Sequence, residues 1–174
     1  MIAVVDRGDI LDSDQYYQYI DTFEQYECWE PYFRLIHTHL DKGRSRKAAN
    51  YIRIARVQNI YLEDTRSCAA TCMTMVGDLD LDYETFHHDF LPALIEYEDY
   101  RAEAMILAAV NDAFERKDDI VACLERLCYL YEKKTHNEMM LAETYEKLLE
   151  IDSHNIKALR YFKLVYTQAG EWDE

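Results

Sequence analysis

Apolar residues recur along this chain every three or four positions, and short polar stretches interrupt the recurrence. The pattern is clearest near the end. Leu141, Tyr145, Leu148 and Leu149 form one helical stripe. Asp152-Ser153-His154-Asn155 then breaks it with residues that cap helices or turn the chain. Leu159, Phe162, Val165, Tyr166 and Ala169 form a second stripe before Gly170, which offers a left-handed stop. Upstream, Ser13 caps a helix running to about Cys28 with Tyr16, Ile20 and Phe23 as its stripe. Pro31 suits the first turn of a second helix, which carries Tyr32, Leu35, Ile36 and Leu40 and ends at Gly43. A third places Ala48, Tyr51, Ile52, Ala55 and Leu62 on one face, and a fourth runs from Asp64 or Thr65 to Gly77. Further helices follow near 83–96, where Pro92 kinks the run or marks its true start, and at 100–116, 119–134 and 138–151. The pattern predicts an all-α chain of about nine helices. Residues 1–11 read as a mobile lead-in and residues 12–174 as one helical domain.

Several of these segments resemble the tetratricopeptide repeat family. Tyr145-x-x-Leu148-Leu149-x-Ile151-Asp152 is similar to the end of a second repeat helix and the turn after it, with Ser153 where the family usually has Pro. Leu159-x-x-Phe162 and Tyr166 are similar to the next first helix, with Lys163 in place of a small residue. Tyr32-x-x-Leu35, Gly43, Ala48, Ile52 and Ala55 fall at the intervals of another repeat, with Ile36 and His39 departing from the usual small and aromatic residues. The helices at 119–134 and 138–151 form a third repeat with a one-residue slip. The resemblance implies a right-handed superhelical stack of antiparallel helix hairpins, an α-solenoid, whose groove binds a protein or peptide partner. It also places Glu174 where another second helix would begin. The chain then reads as part of a longer solenoid, with Leu159, Phe162, Tyr166 and Trp172 partly uncovered and the C-terminal helix prone to self-association. Some family members clamp a carboxylate tail with Lys and Asn. The matching pairs here are Phe33 and His37, Glu125 and Tyr129, and Arg160 and Leu164, so such a tail is not the expected ligand. A half-repeat module of an RNA-processing or assembly complex is the alternative resemblance.

Composition narrows the function. The chain has 174 residues, only 4 Gly and 2 Pro, and a net charge of −15. A phosphate backbone repels such a surface, so nucleic acid is not the expected partner. No apolar run is long enough to span a membrane, and Met1–Val5 is too short for a secretory segment. Five cysteines at irregular spacing suggest a reduced, cytoplasmic protein.

Candidate chemistry is sparse. Glu84-x-x-His87 is half of a di-metal helix motif, and the second copy such a site requires is missing. His37 and His39 point to different faces of one helix. Cys68 and Cys72 share a face, but no second pair has ligand spacing, so a metal-binding helical protein is a lesser alternative. Buried thiols acting as small hydrophobes account for these cysteines, and for Cys123 and Cys128. Asp78-Leu79-Asp80-Leu81-Asp82 reads as a solvated acidic loop, because it lacks the Gly and Glu of a calcium loop. There is no phosphate-cradling Gly loop and no nucleophile elbow, so neither a catalytic residue nor a cofactor is expected. Of the 15 tyrosines, Tyr16, Tyr51, Tyr131 and Tyr145 lie on apolar stripes and should be core.

The most specific functional expectation is a basic stripe. From Lys42 to Leu62 there are six basic residues and no acidic one. At about 100° per residue, Arg46, Arg53 and Arg56 fall opposite the apolar face of the third helix, extended by Lys42 and Arg44. Arginine offers bidentate contacts to carboxylates. Lys42, Arg44, Arg46, Arg53 and Arg56 are therefore the expected contacts for a partner with an acidic surface.

Overall fold

Helices built by the apolar stripes follow one another along the whole described chain. The computed structural model describes Leu11, residues 13–40 and residues 44–169. Its helices are α1 (Ser13–Gln25), α2 (Trp29–Thr38), α3 (Arg44–Arg56), α4 (Thr65–Leu79), the short α5 (Tyr83–Thr85), α6 (Tyr100–Val110), α7 (Lys117–Leu130), α8 (Glu138–Ile151) and α9 (Ile156–Ala169). Wide π turns extend α3 over Val57–Tyr61, α5 over Phe86–Phe90 and α7 over Tyr131–Thr135. Among the described residues there is no strand.

Side chains that accept from otherwise orphaned N–H groups start most of these helices. Asp64 accepts from Ser67 N at 3.0 Å, Asp99 from Ala102 N at 3.0 Å, Asn137 from Met140 N at 3.2 Å and Asn155 from Ala158 N at 3.1 Å. The helix ends depart from expectation. Gly77 does not stop α4. The helix runs on to bury Leu79, and Asp80 turns the chain with a φ of 50°. Asp78 is thus helical and accepts from Lys47 and from the Tyr51 hydroxyl, which leaves only Asp80–Asp82 of the expected acidic loop. The segment near 83–96 is also shorter than its pattern suggests. Pro92 has no N–H to donate, and the chain tightens into a 3₁₀ turn at Leu91–Ala93.

One junction recurs. Glu27, Glu63, Glu98 and His136 all have positive φ, and each is followed directly by the N-cap of the next helix: Cys28, Asp64, Asp99 and Asn137. These junctions are spaced at roughly the length of one helical hairpin, about 34 residues.

Packing joins most helices to a chain neighbour, but α4 and α6 meet past α5. α3 lies mainly against α4 and only lightly against α2, while α4 packs on α6 and α7 on α8. Tyr32 to Ala55, expected as one repeat, thus spans two helices that touch only lightly. Two cores result. Leu11, Tyr16, Ile20, Phe23, Tyr32, Leu35 and Ile36 form the first, closed by Ile54 and Val57 of α3. Tyr51 and Ala55, on the other side of α3, open the second, which runs through Met75, Phe86, Leu107, Leu124, Leu127 and Leu148 to Ala158. All four tyrosines assigned to the core are buried.

Candidate interaction surface

Of the expected basic stripe, the structure describes two side chains. Lys42 lies outside the described residues, and only the backbone of Arg44 and Arg46, in the first turn of α3, is described. Arg53 does not face open solvent. It turns to α1, where one guanidinium nitrogen lies 3.5 Å from both Asp21 and Glu24, and its Cζ sits 5.9 Å from the Tyr17 ring centroid. Local i, i+4 spacing offers no acid to this helix, but the first helix supplies two through tertiary packing. Arg56 is exposed and shares with Arg53 a cleft of about 480 Å³, lined also by Asp21, Glu24, Tyr32 and Tyr61. The Tyr32 hydroxyl is buried beneath this cleft without a hydrogen-bond partner among the described residues. Burial, and then the nearby Glu24 carboxylate, push its pKa well above the usual phenol range.

The residues weighed for metal or redox chemistry scatter. Glu84 is exposed, while His87 turns to Glu103, 3.6 Å away, and stacks on Tyr83. Among the described residues no group of three or more potential ligands converges. His39 is buried: its Nδ1 donates to the Leu35 carbonyl at 3.0 Å and its Nε2 accepts from Leu11 N at 3.1 Å, so Leu11 is packed down rather than loose. His37 is exposed. Cys68, Cys72, Cys123 and Cys128 are buried free thiols. Contact with Cys68 and burial push the Cys72 thiol up, and burial raises those of Cys123 and Cys128 to about 12.

One polar cluster escaped the sequence reading. Glu103 is 5% exposed in the first turn of α6 and accepts from Arg126 Nε at 2.7 Å. Burial pushes its carboxyl up, but contacts from His87 and Arg126 outweigh burial and hold it below the ordinary glutamate range. Its only sequence signal is an acid at a position where the α6 stripe is otherwise buried.

The least covered helix is α9. It packs on α8 through Ala158 and the half-buried Tyr161 and Phe162, with the Tyr161 and Tyr145 rings stacked at 4.6 Å. Its other side is open: Ile156 is 64% exposed, Leu164 57%, Tyr166 50% and Leu159 47%. Leu159 and Tyr166 are thus uncovered, as expected, while Trp172 lies outside the described residues. Lys157, Arg160 and Lys163 lie on the same helix, which contains no acidic residue. No helix of the described chain is long and apolar enough to cross a membrane. No known family model matches this chain, and neither a curated protein nor a solved structure shows significant similarity to it.

Proposed function

We propose that this chain is a non-catalytic protein-interaction scaffold, a tetratricopeptide-like stack of antiparallel helix hairpins that holds a partner protein on exposed helix faces. The observation that carries this reading is the outer side of α9, where large apolar side chains and cations lie together on an otherwise acidic protein. Contiguous apolar exposure of this kind marks interaction sites. The recurring left-handed junctions, spaced by about one hairpin, support the repeat architecture. The basic residues Lys42, Arg44, Arg46, Arg53 and Arg56 form a secondary contact. Arg53 must exchange its α1 carboxylates for those of the partner.

A photo-reactive residue tests the assignment. Placed at Tyr166 in the full chain and irradiated in extract of the source cells, it should give discrete protein adducts. Those adducts should vanish in a Leu159→Ser background. The same probe at Tyr97, which is 93% exposed in the loop before α6, serves as control. Identical adduct patterns at both positions would overturn the reading.

A further inference from the structure

We infer that the partner seated on α9 is an acidic amphipathic helix of another protein. This rests on the scaffold reading and names the chemistry of its ligand. Leu159, Phe162 and Tyr166 are spaced i, i+3 and i+7, so they form a seam along about two turns of one helix side. That spacing matches the side-chain ridges by which helices pack on helices. The seam lies beside the strip that α8 covers, and α8 leaves Leu159 and Tyr166 half exposed.

Charge selects the occupant. Lys157 is held by Glu125 at 2.9 Å. Arg160 and Lys163 have no ion pair among the described residues; Lys163 flanks the seam, four positions from Leu159 and three from Tyr166, and Arg160 lies next to Lys163 on the solvent side. With no acidic residue from Ile156 to Ala169, nothing on the helix itself can neutralise them. A partner helix carrying an apolar stripe with glutamates or aspartates along one edge would bury the seam and pair Lys163, with the neighbouring Arg160 adding to the positive field that attracts that edge. A second copy of this chain fits less well. Two α9 faces related by a two-fold axis would bring Arg160 and Lys163 toward their own copies, a like-charge contact. An aqueous Debye length of about 8 Å keeps the protein's more distant carboxylates from dominating at the contact.

The test uses two fluorescent helical peptides with the same leucine seam, one edged with glutamate and one with lysine. Binding to the whole chain is read by anisotropy at low and high salt, and the state of the protein alone by sedimentation. The glutamate peptide should bind about tenfold more tightly than the lysine peptide at low salt, and salt should erase much of the difference. The double variant R160E/K163E should reverse the preference. Leu159→Ser with Tyr166→Ser should abolish binding of both peptides. All these positions are exposed, and circular dichroism confirms that the variants keep their helices. Equal binding of the two peptides, no binding of either, or an unchanged preference in R160E/K163E would overturn the inference. So would a dimer of the protein alone that Leu159→Ser dissociates. If Tyr166 still captures discrete proteins while the glutamate peptide shows no advantage, the scaffold reading stands and only the nature of its partner falls.

Discussion

At the scale of single residues, Glu103 is a buried carboxylate held by partners from other helices. Its carboxyl is held below the ordinary value of 4.5 by His87 and Arg126, despite burial. A depressed carboxyl contributes stability that is present above the unfolded pKa and is lost as pH falls through the folded one. Glu103 should therefore contribute to a loss of stability as pH falls below its ordinary 4.5. Glu103→Gln should lose about 1–3 kcal/mol near neutral pH, because Arg126 keeps only a neutral acceptor, and should show a flatter acid limb. Urea midpoints across pH measure both effects. A second residue test concerns Glu63, whose φ of 52° suits glycine better than a side chain. Glu63→Gly should raise stability by about 0.5–1 kcal/mol, the left-handed strain relieved less the entropy that glycine costs. Local chemistry of this size was partly legible in the sequence: Asn155 caps α9, and the tyrosine stripes are buried. Glu103 was not, because its partners Arg126 and His87 lie on other helices and periodicity carries no information about such pairings.

At the scale of elements, stripe spacing located the helices well and their ends less well. α8 spans the residues its stripe predicts. α4 overruns Gly77, because burying Leu79 outweighs the convenience of glycine as a stop. α3 shows the main limit of reading one apolar face per helix. Tyr51 and Ala55 lie on the expected side, but Ile54 and Val57 are buried on another, and Leu62 is 43% exposed past the π turn. A helix packed on two sides does not advertise the second side when that side also carries arginines. Ile54→Ala should accordingly cost about 2–5 kcal/mol, whereas Leu62→Ala should stay within about 0.5 kcal/mol of wild type. Denaturant unfolding of the two variants separates these outcomes.

At the scale of the whole molecule, the all-α class was legible from patterning and from the scarcity of glycine and proline. The order in which hairpins pair was not, since helix spacing is the same whichever neighbour a helix chooses. The left-handed turns at Glu27, Glu63, Glu98 and His136 are equally illegible, because none of the four is glycine. The basic stripe was similarly half legible: its cations are local, whereas Asp21 and Glu24, which take up Arg53, arrive from a helix about thirty residues earlier. α3, with one core on each side, has a mechanical consequence. The N-terminal helices and the rest of the chain cannot melt independently, because each would have to strip a supporting wall from the other. In a Trp172→Phe background, Trp29 fluorescence follows the first three helices and circular dichroism follows all of them. Their melting curves should coincide as one cooperative transition, and Ile54→Ala should shift both by the same number of degrees. Separate midpoints would mean that α3 bends where the two cores meet. Common midpoints would make α3 the beam through which strain at one end of the protein is felt at the other.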